Sequence, residues 1–377
     1  MTMLPDFKLE TYLGKWEFAA RYHMTASDMQ TLTVKELLAL ANPVDRAAFE
    51  ALPLSYIETY GTPPLRAAIA ATYRGLQADD VLCFAGAEEG IFCTMHAILT
   101  KDDHAVVVTP NYQSTEEIPL SICAVTGVAL RAQENWRLDV DEVAAALRPN
   151  TKLLAINFPH NPTGKIIDRA TFDGLVKLCG ERGIYLLSDE VYRGLERSPA
   201  LQLPQAGEVY DKGLSLGVMS KAYGLPGLRI GWIATKDRVL LSKMERIKHY
   251  LSICNAAPSE HLAAIALKAR EAILRRNLAL ITVNLQAMNE FFAGFPDLFD
   301  WQVPDGGCIG YPRYTGADGV ENFCRKLVEE AGIVLLPAGI YKSSLTSTPP
   351  DRFRIGFGRD YVPEGMAALR AWVMKNR

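Results

Sequence analysis

The sequence lacks the features that mark a membrane protein, a nucleic-acid-binding protein or a zinc protein. No apolar run reaches the roughly 18 residues that a membrane-spanning helix needs. The net charge of −3 offers no basic surface to a nucleic acid or a membrane. The 7 cysteines are scattered and never spaced as C-x-x-C, so neither a zinc site nor a disulfide framework is expected. The N-terminus has no basic stretch before an apolar core, which predicts a cytoplasmic protein with reduced thiols rather than a secreted one.

What is present is a large amount of core-forming sequence in short apolar runs. The chain has 377 residues, of which 49% are hydrophobic, so it can bury a large core and divide into more than one domain. Continuous apolar runs alternate with helical patterns, and they lie at 105–109, 153–156, 184–188 and 214–219. Such runs are typical of strands covered on both faces, and they predict an α/β fold with a mostly parallel sheet wrapped by helices.

A long helical pattern separates a large domain from a small one. It extends from Ser259 to about Phe292, and shorter strands and helices follow it. We therefore expect an N-terminal segment (residues 1–45) that packs with the small domain and the active-site entrance. A large α/β domain (residues 46–285) and a smaller α+β domain (residues 286–377) should follow.

Unusual polar residues follow three of the predicted strands. The run 153–156 leads into "NFPHNPTG", 184–188 into "DEVYRG", and 214–219 into "SKAYG". Ligands of open α/β sheets bind beyond the carboxyl ends of the strands. An asparagine, an aspartate with a nearby tyrosine, and a lysine should therefore meet at one edge of the sheet.

The stretch "GVMSKAYGLPGLRIGW" carries two cations, Lys221 and Arg229, and no acidic residue. Buried cations need partners, so the partner must lie elsewhere in the chain or in a ligand. Gly86 in "CFAGAEEG" precedes a helix whose free amides, together with Arg229, predict a phosphate site. Lys221 can then reach a carbonyl of the phosphorylated ligand, and Asp189 a basic nitrogen. Pyridoxal phosphate has all three groups.

Several motifs, taken in their order along the chain, carry a resemblance to a known enzyme family. They are "YIETYGTPPLRAAIA", "GAEEG", "PNY", "NPTG", "SDEVY", "SKAYGLPGLRIGW" and "FRIGFG". Through them, residues from about 50 to 377 resemble the class I/II aminotransferases of fold type I, the family shaped like aspartate aminotransferase. The resemblance implies a large domain with a mostly parallel seven-stranded sheet, a smaller α+β domain, and pyridoxal 5′-phosphate as cofactor.

The resemblance also implies roles for residues around the cofactor ring. Lys221 would form a Schiff base with the cofactor and then act as the base that moves the Cα proton. Asp189 would pair with the pyridine nitrogen and keep it protonated. Tyr192 and Asn161 would bond the ring hydroxyl, and Tyr112 would stack on the ring face. Lys221, Asp189 and Tyr192 are the implied catalytic residues.

By the same resemblance, the cofactor phosphate would be held by Arg229, by Ser220 and by the backbone amides of Ala87 and Glu88. Many relatives carry a serine three residues before the lysine, where this chain has Val218. Cofactor binding is expected to survive on the other donors, with Ser220 compensating.

Two further residues are implied to act across a dimer and on the substrate. Tyr56 matches the family tyrosine that reaches the phosphate of the neighbouring subunit, so the resemblance implies a homodimer. Arg354 matches the arginine whose planar fork binds the substrate α-carboxylate, and Asn161 is the second implied substrate-binding residue.

His160 is interpreted as a loop histidine bonded to the backbone rather than as a base.

The N-terminal segment departs from the family pattern. In place of a Gly-rich entrance strand it has "LETYLGKWEFAARYHMTASDMQTLTVKELL", which loosely resembles the subgroup containing capreomycidine synthase, an enzyme that cyclises a guanidino amino acid. Glu17 and Asp28 in this segment, with Glu116 and Glu117 after Tyr112, would suit a cationic substrate side chain if they face the pocket. The alternative is that these acids are solvated surface residues.

The sequence thus predicts an aminotransferase that moves an amino group between an amino acid and a 2-keto acid by a ping-pong mechanism. The alternative within the family is β/γ-elimination or cyclisation of a basic, guanidino-type amino acid. A hypothesis from another class is a cofactor-binding regulator with an aminotransferase-like sensor domain. Roughly 50 residues before the core leave little room for a DNA-binding module, and the acidic net charge argues against one.

Overall fold

The computed structural model describes residues 4–376, and its largest feature is a 7-stranded sheet. The strands are β1 (Val81–Phe84), β2 (His104–Thr109), β3 (Ala124–Ala129), β4 (Thr151–Asn157), β5 (Tyr185–Asp189), β6 (Gly213–Val218) and β7 (Gly231–Ala234). They lie in the order β1-β7-β6-β5-β4-β2-β3, and the neighbours from β3 to β6 are parallel. β7 runs antiparallel to its neighbours β6 and β1. The mostly parallel seven-stranded sheet expected from the sequence is confirmed.

Helices and short strands build the rest of the described chain. The helices are α1 (Lys8–Trp16), α2 (Val34–Ala39), α3 (Pro43–Glu50), α4 (Pro63–Ala70), α5 (Ala87–Ile98), α6 (Gln113–Ile122), α7 (Val140–Ala146), α8 (Arg169–Arg182), α9 (Ala206–Val209), α10 (Arg238–Lys248), α11 (Ala257–Lys268), α12 (Arg270–Ala293), α13 (Val320–Ala331) and α14 (Val362–Asn376). The short strands are β8 (Phe299–Asp300), β9 (Ile309–Gly310), β10 (Arg313–Tyr314), β11 (Leu336–Pro337) and β12 (Phe353–Gly356). β8 pairs with β10, and β12 lies between β11 and β9. Among residues 4–376, no helix has the length and apolar composition needed to cross a membrane.

Successive residues of the central strands point to opposite faces of the large sheet, and both faces are buried. Val106 and Leu154 belong to one hydrophobic core, while their neighbours Val107 and Leu153 belong to another. Since side chains alternate along a strand, a sheet covered on both faces needs apolar residues at successive positions. This is why the runs that form β2 and β4 show no polar alternation.

The helical pattern predicted from Ser259 to Phe292 is two helices. α11 ends at Lys268 and α12 begins at Arg270, with Ala269 between them at φ −95° and ψ 12°. The prediction of one continuous helix was wrong, because apolar periodicity does not register a single residue with altered backbone dihedrals. The limit expected at residue 285 falls within α12, and the three domain ranges stay a prediction.

The segment between α1 and α2 lies against the C-terminal part of the chain. Tyr22 pairs with Ile333 in an isolated parallel bridge, and Gly356 N donates a hydrogen bond to Met24 O at 2.7 Å. Met24 and Met29 are fully buried. These contacts fix the residues between the two methionines next to β12.

The carboxyl ends of β4, β5 and β6 lie side by side. Asn157 at the end of β4 is in register with Asp189 at the end of β5, and Asp189 is in register with Leu216 near the end of β6. The loops that follow these strands therefore start from one edge of the sheet, as the parallel topology requires.

Candidate active site

A cavity of about 610 Å³ lies beyond this edge of the sheet. Its walls come from the loops after β4, β5 and β6, from the start of α5, from β12, and from α1 with the segment after it. It brings together most of the residues that the resemblance implied, namely Ala87, Glu88, Tyr112, Asn161, Asp189, Tyr192, Ser220, Lys221, Arg229 and Arg354.

Lys221 follows β6 and directs its amine toward the N-terminal segment. Its Nζ donates a hydrogen bond to Ser27 Oγ at 2.8 Å. Burial lowers the pKa of the Lys221 amine, while the nearby Asp28 carboxylate acts in the opposite direction. A lysine whose pKa is lowered is more often neutral, as a nucleophile and a base must be.

Asp189 supplies a partly buried negative charge at the end of β5. Its Oδ1 accepts a hydrogen bond from Val191 N at 3.1 Å, and its backbone oxygen accepts one from Asn157 Nδ2 at 3.0 Å. Burial raises the pKa of the Asp189 carboxyl to about 6. A carboxylate in this environment is stabilised by a positive partner, and a protonated ring nitrogen is such a partner.

The start of α5 and the loop after β6 form an anion-binding site. Gly86 precedes α5 at φ 95°, and within residues 4–376 no side-chain cap is found for the first amides of the helix, those of Ala87 and Glu88. Ser220 Oγ is buried and has no hydrogen-bond partner among residues 4–376. Arg229 has a left-handed backbone at φ 52°, and a Cβ on Gly86 would lie 2.5 Å from its Nη2. Free helix amides, an unpartnered hydroxyl and a guanidinium fit the phosphate group of the cofactor.

Two other side chains line this end of the cavity. Val218, at the usual serine position, is buried and contributes apolar surface. The Glu88 carboxyl accepts a hydrogen bond from Ser114 Oγ at 3.1 Å, and burial raises its pKa to about 7. Val218 has no hydroxyl to offer, so the Ser220 hydroxyl, which is unpartnered in the part of the chain that the structure describes, is the candidate to replace the serine that many relatives have at position 218.

Arg354 on β12 is 1% exposed and is held by partners from three parts of the chain. Its Nη1 donates to Tyr341 Oη at 2.6 Å and to Asn161 Oδ1 at 3.2 Å. Its Nη2 donates to Thr25 O at 2.9 Å. These bonds fix the plane of the guanidinium, as two-pronged binding of a carboxylate requires. Sequence reasoning missed Tyr341, because a lone tyrosine at the end of a short 3₁₀ helix carries no motif.

Both tyrosines expected near the cofactor ring line the cavity. Tyr192 Oη donates a hydrogen bond to Ser27 O at 3.0 Å, and burial raises the pKa of Tyr192 well above its usual value. The ring centre of Tyr112 lies 5.3 Å from that of Phe7, and burial raises the pKa of Tyr112 as well. Both phenols are therefore neutral, and their contacts with the cofactor stay predictions.

Two residues considered from the sequence lie outside the cavity. Tyr56 is 87% exposed and contributes nothing to the site of its own chain. His160 is buried, with Nε2 2.8 Å from Pro110 O and Nδ1 2.9 Å from Thr163 Oγ1. Burial lowers the pKa of His160 to about 4, which agrees with its interpretation as a structural loop residue.

The four acids considered for a cationic side chain separate into two pairs. Glu17 and Asp28 line the cavity, whereas Glu116 and Glu117 lie outside it. The buried Glu116 carboxylate accepts hydrogen bonds from the backbone and hydroxyl of Ser344 at 2.9 and 3.0 Å. Glu116 is removed from the candidate substrate pocket because it is bonded to the loop before β12, and Glu117 is removed because it does not line the cavity.

Sequence reasoning named Asp28 as a candidate but missed the direct part that Thr25 and Ser27 take in the site. Ser27 accepts a hydrogen bond from Lys221, and Thr25 accepts one from Arg354. Asp28 Oδ2 forms an ion pair with Arg359 Nη2 at 2.6 Å. The run "TASD" carries no motif. Met24 and Met29 flank this run, and these two apolar residues were the only sequence feature that indicated a buried backbone.

The fold and the cavity define a pyridoxal-phosphate-dependent enzyme of fold type I. The profile of the family described as aminotransferase class I and II matches residues 24–363. The chain belongs to this family, and it is an enzyme that uses pyridoxal phosphate rather than a regulator.

Several proteins are similar to this chain over most of its length. Capreomycidine synthase from Streptomyces vinaceus is 31% identical over 376 residues, which are 97% of this chain and 93% of that protein. Arginine–pyruvate transaminase from Pseudomonas aeruginosa is 29% identical over 322 residues, which are 78% of this chain and 77% of that protein. The crystal structure of a PLP-dependent aminotransferase from Streptococcus suis matches with a TM-score of 0.92 at 29% identity, over 99% of both chains.

Proposed function

We propose that Lys221, Asp189 and Arg354 carry out amino-group transfer between an amino acid and a 2-keto acid in this cavity. Pyridoxal phosphate, when bound, supplies the ring that accepts electrons from the substrate. Asp189 keeps the proton on the ring nitrogen, and Lys221 Nζ takes up the proton that leaves Cα. Arg354 binds the α-carboxylate and so orients Cα toward Nζ. The observation that carries the proposal is the convergence of an amine, a partly buried carboxylate and a fixed guanidinium in one cavity.

The direct test is product analysis with the cofactor-loaded enzyme. Incubation with an amino acid alone should convert the cofactor to pyridoxamine phosphate and release the matching keto acid. A 2-keto acid added afterwards should restore pyridoxal phosphate, as a ping-pong mechanism requires. Failure of either half would contradict transamination.

A second candidate function is elimination or cyclisation of a guanidino-type amino acid. The similarity to capreomycidine synthase covers 97% of the chain, compared with 78% for arginine–pyruvate transaminase. Both reactions begin with removal of the Cα proton, so the same residues serve both. Ammonia or a cyclic product, with the cofactor left as pyridoxal phosphate, would favour this alternative.

The active unit of the proposal is a homodimer in which Tyr56 reaches the phosphate site of the partner subunit. Tyr56 and Leu54 are 87% and 88% exposed. Tyr250 is 92% exposed. Its loop is attached to α5 by a hydrogen bond from Ser252 N to Glu89 Oε1 at 3.1 Å. Large exposed aromatic and apolar side chains support a subunit interface.

Tyr56→Phe should weaken cofactor binding about 10-fold, because a hydrogen bond to a charged phosphate is lost. The dissociation constant of pyridoxal phosphate, measured by absorbance after dialysis, checks this result. Tyr250→Phe removes the hydroxyl of another exposed tyrosine and should leave the affinity unchanged.

Mixed dimers decide which subunit Tyr56 serves. Co-expression of Tyr56→Phe and Lys221→Ala subunits gives a heterodimer in which one site has a native Lys221 and, from the other subunit, a native Tyr56. That site should bind the cofactor with wild-type affinity. Weakened binding there would place Tyr56 in its own subunit, and a fully active monomer would contradict the dimer.

A cytoplasmic location is also part of the proposal. The cysteines within residues 4–376 are free thiols, and most of them are buried. Free thiols persist in a reducing compartment, which supports this assignment.

The proposed amino-acid substrate has a basic side chain such as that of arginine. One of the similar proteins is an arginine–pyruvate transaminase. In this chain Glu10, Glu17 and Asp28, all in or near α1 and the segment after it, line the cavity. The side of the cavity formed by the N-terminal segment is therefore acidic.

Arg229 is assigned to the cofactor phosphate and Arg354 to the substrate α-carboxylate. The charges that remain in the cavity favour a cationic substrate side chain. Arg359 is already paired with Asp28 at 2.6 Å. Glu10 and Glu17 form no ion pair within residues 4–376. An added guanidinium would give them a partner, whereas an acidic side chain would meet repulsion.

Glu17→Gln should lower the preference for arginine over leucine, as a ratio of kcat/KM values, by about 2- to 5-fold, because one charged contact is lost at an exposed position. Initial rates with both amino acids at saturating 2-keto acid measure the ratio. Glu117→Gln is the matched control, since Glu117 lies outside the cavity. An unchanged ratio in Glu17→Gln, Glu10→Gln and Asp28→Asn would contradict the cationic pocket and leave the aminotransferase assignment intact.

A further inference from the structure

The segment between α1 and α2 contacts two residues proposed for catalysis, Lys221 and Tyr192, and the proposed substrate-binding residue Arg354. Ser27 Oγ accepts a hydrogen bond from Lys221 Nζ at 2.8 Å, and Ser27 O accepts one from Tyr192 Oη at 3.0 Å. Thr25 O accepts one from Arg354 Nη2 at 2.9 Å. The contact with the reacting amine distinguishes Ser27 from residues that only line the cavity.

Close backbone contacts on both sides hold Ser27 in place. Met29 N donates a hydrogen bond to Lys221 O at 3.3 Å. A Cβ on Gly356 of β12 would overlap the carbonyl oxygen of Ala26, so the backbone there lies directly against β12. The position of Ser27 Oγ relative to Nζ is therefore set by packed backbone rather than by a free loop.

The neutral Lys221 amine needs its lone pair free and directed at the substrate Cα. A group that accepts one N–H orients the amine and leaves the lone pair available, and a hydroxyl does this without a negative charge that would keep the amine protonated. The adjacent Asp28 carboxylate is instead paired with Arg359 at 2.6 Å. The charged and titratable groups around Nζ are Asp28, Asp189, Arg354 and Cys308.

We propose that Ser27 is a positioning residue for the reaction, whose hydroxyl accepts an N–H of Lys221 and so aims the lone pair of Nζ at the substrate Cα. The proton that leaves Cα goes to Nζ, and Ser27 keeps its own proton throughout. The inference rests on the role proposed for Lys221 and adds a residue that the family resemblance does not assign.

In the cofactor-loaded enzyme, Ser27→Ala should lower kcat about 10- to 100-fold and change the KM for the amino acid by less than about 3-fold, because the amine is misaligned while the α-carboxylate site is intact. Ser27→Thr keeps a hydroxyl and should recover most of the rate. Thr31→Ala, at an exposed position of the same segment, is the matched control and should equal wild type.

A second measurement reports on the contact without turnover. In the full chain freed of cofactor, acetylation of Lys221 is followed by peptide mass spectrometry from about pH 6 to about pH 11, since only the neutral amine reacts. Loss of the acceptor destabilises the charged amine more than the neutral one. The midpoint should therefore move down by about 0.5 to 1 pH unit in Ser27→Ala and stay in place in Thr31→Ala.

An unchanged midpoint in Ser27→Ala, or a Ser27→Thr variant as slow as Ser27→Ala, overturns the role of Ser27. Ser27→Gly removes the same hydroxyl and gives the same two readouts if Ser27→Ala does not fold. Lys221→Ala tests the underlying role of the lysine independently, so the two failures are distinguishable.

Discussion

Lys221→Ala is expected to lower kcat by on the order of 10⁴-fold or more while the cofactor still binds. The substitution removes the amine that is proposed to take up the Cα proton and to provide the covalent attachment point. Asp189, Ser220 and Arg229 remain to hold the cofactor. Single-turnover rates and cofactor content after gel filtration measure the two effects. Lys243→Ala changes an exposed lysine on α10 and should behave as wild type.

Borohydride treatment checks the attachment point independently. Reduction of the wild-type enzyme should fix the cofactor to the peptide that contains Lys221. Fixation on another lysine, or a near-normal kcat in Lys221→Ala, would contradict the assignment.

Asp189→Asn is expected to slow exchange of the substrate Cα proton with solvent by about 10²- to 10³-fold and to weaken cofactor binding far less. The amide has almost the shape of the carboxylate but no negative charge, so it cannot hold a protonated ring nitrogen. Deuterium incorporation at Cα, followed by mass spectrometry, measures this step. Asp211→Asn is the control, since that side chain is 88% exposed. Equal exchange rates in Asp189→Asn and wild type would remove Asp189 from its role.

The pH dependence of cofactor binding gives a second readout for Asp189. Burial raises its pKa to about 6, so the carboxylate is protonated and loses its charge as the pH falls through about 6. Binding of the cofactor with a protonated ring nitrogen should therefore weaken on the acid side of that pH in wild type. This part of the dependence should vanish in Asp189→Asn. The cofactor phosphate titrates in both proteins, so the difference between the two curves isolates Asp189.

The architecture and the edge of the sheet beyond which the cavity lies were predictable from the sequence. Consecutive apolar residues at 105–109 and 153–156 require strands buried on both faces, and such strands are typical of parallel sheets. The polar residues that follow parallel strands then meet at one edge, and the cavity brings Asn161, Asp189 and Lys221 together there.

Local sequence patterns did not predict where a helix is interrupted or which acidic side chains face the cavity. The helical period continues through Ala269, although the backbone dihedrals change there. Glu116 and Asp28 look equally suited to a substrate cation in the sequence. The loop before β12 satisfies Glu116, whereas Asp28 lies in the cavity beside Arg359.

The sequence by itself determined the family, the cofactor and the strand ends where the proposed catalytic groups lie, because these depend on local order and on the rules of parallel sheets. The tertiary structure alone decided which residues of the N-terminal segment take part. Ser27 lies 194 residues from Lys221 along the chain, and Thr25 lies 329 residues from Arg354. A cation removed from water must find a partner, but its identity is decided by packing. The close contact of residues 24–29 with β12 makes one hydroxyl and one carbonyl oxygen of this segment the partners of Lys221 and Arg354.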